Sequence, residues 1–158
     1  MTPTFHTLQP KMLVGKRLTM SFINNRTPEL WKSFMPLRNT VLNVVGANRY
    51  SLQIYPSNFF ELFNPATEFE KWAAVEVTSF DSVPDDMKTL IVPGGLYAVF
   101  HYNGNPSNGD KVFKEIFTEL LPLSGYRLDN CPHFEVLGEK YQNGSDESEE
   151  EIWIPIKK

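Results

Sequence analysis

Hydrophobic and polar positions along the chain change period several times, and each change marks an element. Lys11–Phe22, KMLVGKRLTMSF, alternates as a strand does and is broken by Asn24-Asn25. Thr27-Pro28-Glu29 then predicts a helix start, with Thr27 as N-cap, Pro28 at the first helical position and Glu29 in the first turn. Leu30, Trp31, Phe34, Leu37 and Val41 follow at helical spacing, and Pro36 is placed to kink or divide that helix. Tyr50–Tyr55 and Phe69–Val77 read as strands, and Ser79–Asp86, containing Pro84, as a linker.

The second half repeats the order. Thr89–Tyr102 reads as a strand pair, or as one strand interrupted at Pro93-Gly94-Gly95. Ser107 or Asn108 is placed to cap a helix whose apolar face is Val112, Phe113, Ile116, Leu120 and Leu121, ended by Pro122 and Gly125. Phe134–Tyr141 and Glu150–Ile156 flank a polar stretch with the turn pair Asn143-Gly144, the pattern of a hairpin with a long loop. Both halves are thus strand–helix–strand–strand: module 1 over about 8–79, a linker over about 80–88, and module 2 over about 89–158 of one domain, 1–158. The expected fold class is α+β: duplicated βαββ modules with pseudo-two-fold symmetry, antiparallel sheets, a helix per module and a ligand groove between them.

Within the last hairpin, Glu135 falls between apolar neighbours near the middle of a strand, where a bare carboxylate is costly. Trp153 alternates with Ile152 and Ile154 on the facing strand, and a carboxylate beside an indole suits a planar cation. Laying the halves over one another sets Gln53 opposite Glu135 and Ala74 opposite Trp153. Alternation puts Trp72 with Ala74, hence on the side of Trp153. Tyr97 and Phe100 occupy opposite faces of one strand, and Tyr97 is the one taken for the groove.

Charge narrows the partners. Residues 1–79 carry 8 Lys/Arg against 5 Asp/Glu, and residues 80–158 carry 7 against 14. The positive half has no basic stripe, so direct nucleic-acid binding is not expected. No apolar run is long enough for a membrane span, and the N-terminus lacks the pattern of a secretory signal, which makes the cytoplasm the expected compartment. A single cysteine, Cys131, excludes an internal disulfide or a Cys-cluster metal site. His6, His101 and His133 make no metal-ligand spacing, Gly94-Gly95 lacks the context of a phosphate loop, and no Gly-x-Ser-x-Gly elbow is present. No metal and no cofactor are expected.

Five stretches in order, ELWKSFMP (Glu29–Pro36), KWAAVEV (Lys71–Val77), PGGLYAVFHYNG (Pro93–Gly104), FEVLGEKY (Phe134–Tyr141) and EIWIPI (Glu151–Ile156), give the chain a resemblance to the GyrI-like small-molecule-binding domain, the AraC-type effector-binding domain. That resemblance implies a pocket for drug-like, often cationic aromatic compounds. Members include effector domains of bacterial multidrug-responsive transcription regulators, a gyrase-modulating protein and some hydrolases. It further implies that a buried glutamate on the penultimate strand falls on Glu135 and a stacking aromatic of the final strand on Trp153. The chain departs from the regulators in having no helix-turn-helix segment. The expected function is therefore a stand-alone small-molecule-binding protein, with Glu135, Trp153, Trp72, Tyr97 and Gln53 lining its site and no catalytic residue assigned. A hydrolase using Glu135 to activate water, and a protein-interaction modulator of a topoisomerase, are the alternatives.

Overall fold

The computed structural model describes residues 1–158, as an α+β fold in which nine antiparallel strands carry two helices. The strands are β1 (Thr4–Leu8), β2 (Lys11–Met20), β3 (Arg49–Ile54), β4 (Phe69–Glu76), β5 (Lys88–Val92), β6 (Gly95–Asn103), β7 (Arg127–Leu128), β8 (His133–Leu137) and β9 (Glu149–Lys157). Their order across the sheet is β1-β6-β9-β8-β3-β4-β2-β5, with β7 added to the end of β9.

The order mirrors itself about the β3–β8 pair. Outward on one side lie β4, β2 and β5; on the other lie β9, β6 and β1. Strands β1, β2 and β3 begin at residues 4, 11 and 49, and β5, β6 and β8 begin at 88, 95 and 133, a constant offset of 84. The outermost strands are exchanged: β1 completes the half that contains β6, and β5 the half that contains β2. The segment Lys88–Asn103 is thus neither a hairpin nor one interrupted strand, since β5 and β6 pair at opposite ends of the sheet. Only Gln9 and Pro10 join β1 to β2 although five strands lie between them in the sheet. Two residues bridge at most about 10 Å, so the sheet must curl until its ends approach. Leu8 and Val92 accordingly share one buried cluster.

Helix α1 (Thr27–Phe34) runs on through a 3₁₀ segment, Met35–Thr40, at the turn where Pro36 denies an amide hydrogen. Thr27 is its first residue rather than its cap; Arg26 holds the cap position, and the Asn25 side chain accepts the Thr27 N–H at 3.0 Å. Helix α2 (Gly109–Glu115) follows a 3₁₀ turn in which Asn105, not Ser107 or Asn108, caps with its side chain. It continues through a π turn, Ile116–Leu120, and a last turn at Leu121–Leu123.

Both helices cover the same face of the sheet. Leu30 and Phe34 of α1 pack with Val14, Met20, Ala73 and Val75, while Val112 and Ile116 of α2 pack with Ala98, Phe100, Ile152 and Ile154. The opposite face has its own core of Tyr50, Leu52, Trp72, Tyr97 and Phe134. Gly15 marks where the strands run closest: a Cβ there would lie 2.1 Å from the Ala73 carbonyl oxygen.

Candidate functional site

Between the two helices the sheet is left uncovered, and a cavity of about 640 Å³ opens over its central strands. That size suits a drug-sized molecule. Its floor is Gln53 of β3, Phe69 and Lys71 of β4, and His133 and Glu135 of β8. Phe113 and Phe117, four residues apart on the α2 side, form one wall; Phe22, Phe63, Asn25 and Thr27, the first residue of α1, form the other. Tyr55 and Phe60, from the loop after β3, roof the β8 end, where Phe60 stacks on His133 at 5.5 Å and meets Phe117 at 4.7 Å.

Glu135 stands at the centre of symmetry. It pairs directly with Ser51, and the offset of 84 makes Ser51 its counterpart in the other half. This corrects the overlay that set Gln53 against Glu135. Gln53 is instead its hydrogen-bond neighbour, donating Nε2–H to Glu135 Oε1 at 3.2 Å. Both side chains are almost fully enclosed, Glu135 at 7% exposure and Gln53 at 4%. The second carboxylate oxygen, Oε2, has no hydrogen-bond partner. Burial pushes the Glu135 carboxyl above its ordinary range, against the opposing pull of Lys71 and the Gln53 hydrogen bond.

Charges around it are distributed unevenly. The β3–β4 and β8–β9 registers make Lys71 and Glu150 counterparts flanking the central pair. Burial raises Glu150 to about 7, with the Glu135 charge adding to the effect, and burial lowers Lys71 despite the pull of both carboxylates. His133 is lowered to about 3 by burial, so its imidazole is neutral at physiological pH. Burial followed by the Glu135 charge raises Tyr55, which stays a phenol.

Of the five residues singled out in the sequence, the structure brings Glu135 and Gln53 together in the cavity. It does not bring Trp153, Trp72 or Tyr97 there. Phe134, not Glu135, pairs with Trp153 across β8–β9, so alternation sends Trp153 to the far face, where the two rings stack at 5.3 Å. Trp72 pairs with Leu52 and is enclosed in that same far core. Tyr97 joins it and donates its hydroxyl hydrogen to the Pro132 carbonyl at 2.8 Å. The aromatics that do line the cavity were visible only as density: Tyr55, Phe60 and Phe63 fall within YPSNFFELF, and Phe113 and Phe117 within KVFKEIF. Lys71 carries no signal of its own in the sequence, because one lysine in a strand ordinarily faces water. No group of three or more His, Cys, Asp or Glu is placed to hold a metal, and no helix is long and apolar enough to cross a membrane.

Comparison with known proteins agrees with this architecture. SAV2435, in a structure bound to tetraphenylphosphonium, superposes with a TM-score of 0.71 at 19% identity, covering 99% of this chain and 94% of that one. EcmrR, in a complex with DNA, superposes at 0.71 with 12% identity, over 99% of this chain and 57% of the longer EcmrR chain. A DNA gyrase inhibitor of Yersinia enterocolitica is 30% identical over 77 residues, which span 46% of this chain and about half, 49%, of that relative. The model of the GyrI-like small molecule binding domain matches residues 1–157, and the chain belongs to that family.

Proposed function

We propose that the protein captures hydrophobic aromatic cations in the cavity between α1 and α2, without altering them. The observation that carries this reading is the unpartnered Oε2 of Glu135 at the floor of an aromatic-walled cavity. A carboxylate oxygen enclosed without a donor is costly, and a bound cation would remove that cost. At an effective dielectric of about 20, opposite charges about 4 Å apart attract by roughly 4 kcal/mol, against about 1 in bulk water. The incoming cation would also draw the raised Glu135 carboxyl back towards its ionised form. Phe113, Phe117, Phe60 and Phe63 supply apolar area and ring faces for such a guest. SAV2435, a relative in fold, was solved with a ligand of this chemistry.

The hydrolase reading has less support. The hydrogen-bond partner of Glu135 is an amide, which cannot relay a proton, and burial that lowers His133 to about 3 leaves its imidazole a weak base. Isothermal titration of tetraphenylphosphonium against neutral triphenylphosphine oxide, on wild type and Glu135→Gln, tests the reading. The expected result is a cation preference that falls by about 10- to 100-fold in the variant, with both compounds recovered unchanged. Equal loss of cation and neutral compound would remove the charge role from Glu135. A chemically altered ligand would favour the hydrolase.

A further inference from the structure

Three lysines are partly buried, and two of them are paired: Lys11 with Glu76 at 3.0 Å and Lys16 with Asp86 at 3.6 Å. The third, Lys71, lies on the cavity floor with no carboxylate within 4.0 Å and no hydrogen bond. Its chain neighbour Glu70 cannot serve it. That carboxylate leaves the strand on the other face, where it accepts the Trp72 indole N–H and meets Arg17 at 3.8 Å.

The floor therefore holds an ammonium without an acceptor and a carboxylate oxygen without a donor. They belong to β4 and β8, with β3 between them, so two inter-strand spacings, about 10 Å, separate their backbones. Gln53 on the intervening strand has one of its two amide hydrogens committed to Glu135 Oε1. At the rim Asp110 and Lys114 stand one helical turn apart on α2, where their charges offset one another. Glu150 shares the face of Glu135 but lies on β9, outside the lining of the cavity.

A ligand bearing one positive charge would satisfy Glu135 and confront Lys71 with a like charge in a site of low dielectric. A ligand bearing both signs would complete both groups. We infer that the protein's ligand is amphoteric: an aromatic molecule whose cationic nitrogen is met by Glu135 and whose carboxylate, or an equivalent anionic group, is met by Lys71. The inference rests on the cation-capture reading and narrows it. It makes Lys71 the residue that separates zwitterions from simple cations. Enclosure also lowers the Lys71 ammonium from its ordinary range, and a ligand anion would restore it.

Rhodamine 110 and rhodamine 123 form a matched pair of probes, the first with a free carboxylate and the second with that carboxylate as its methyl ester. Dye polarisation on wild type, Lys71→Met, Lys71→Arg and Glu135→Gln, each checked for an intact thermal transition, gives the test. Wild type is expected to favour rhodamine 110 by about tenfold or more. Lys71→Met should abolish or invert that preference, Lys71→Arg should keep most of it, and Glu135→Gln should weaken both dyes. A wild-type preference for rhodamine 123, or a rhodamine 110 preference that survives in Lys71→Met, overturns the inference. Loss of rhodamine 123 binding in Glu135→Gln, in that event, leaves cation capture standing. Binding of neither dye by wild type overturns both.

Discussion

The rings of Phe134 and Trp153 stack at 5.3 Å with 14° between their planes, while Glu135, next to Phe134 in the chain, leaves β8 on the other face. One strand thus holds up the far core with one side chain and serves the cavity with the next. Two functions of neighbouring residues are separated by the thickness of the sheet.

Substitution at the stack should therefore act on stability before binding. Trp153→Ala removes the ring against Phe134 and the contact with Tyr97. It is expected to cost about 3 kcal/mol, the low end for a large aromatic because Trp153 is only partly buried. Denaturant unfolding should show the loss. The affinity of the folded protein for tetraphenylphosphonium should change by less than about threefold.

Glu135 should show the reverse. Glu135→Gln replaces a charge that lacks a partner on one oxygen with a neutral amide of the same shape. The ligand-free protein is expected to gain roughly 1–2 kcal/mol while cation binding falls. A Glu135→Gln protein that is less stable without ligand would mean that the attraction of Lys71 and the Gln53 hydrogen bond together outweigh the cost of burying the charge.

Buried groups of opposite sense shape the pH dependence of stability: His133 on one side, Glu150 and the likewise raised Glu135 on the other. His133 binds a proton in the unfolded chain near pH 6.5 but in the folded protein only near pH 3. Its contribution is complete above about pH 6.5 and is lost as the pH falls towards 3. Glu150 is raised to about 7 from an ordinary value of 4.5. The folded state therefore holds the extra proton between those values, and stability from this group falls as the pH rises through them. The two slopes oppose each other between about pH 4.5 and 6.5. Thermal melts of Glu150→Gln across pH 4 to 8 should show stability rising more steeply with pH up to about 6.5 than in wild type. Melts of His133→Gln should show it falling with pH. An unchanged profile in either variant would contradict the assignment.

Gly15 supplies a test of the fold itself. A Cβ at this position would lie 2.1 Å from the Ala73 carbonyl and 2.7 Å from Ala74. β2 could not then keep its pairing with β4. Gly15→Ala should cost more than about 2 kcal/mol, read as a shifted unfolding midpoint. A midpoint within about 0.5 kcal/mol of wild type would show that the two strands can part without penalty.

Much of this was legible along the chain, because periodicity is a local property. The final hairpin, the two helices and the division at Pro36 all follow from alternation and turn residues, whereas the enclosure of Glu135 was implied by the family resemblance and not by the pattern. What alternation cannot give is register. It assigns Trp153 and Glu135 each to a face of its own strand, but only the pairing of Phe134 with Trp153 decides whether those faces coincide. The cavity walls were hidden for a related reason. Phe60 and Phe63 lie in an irregular loop with no period, and they meet Phe117 and Phe22 only through the tertiary fold. Strand β1 has no apolar rhythm in the sequence because four of its five residues are exposed.

The exchange of the outer strands has a consequence for how the molecule can be taken apart. Each half lends the other its edge, β1 to one and β5 to the other, so a half on its own would present a bare β2 or β6 flank and lack the strand that covers it. A cut in the Ser79–Asp86 link leaves each fragment holding a piece its neighbour needs. Such fragments should behave as two parts of a clasp: unstructured or sticky apart, and able to rebuild the cavity when mixed.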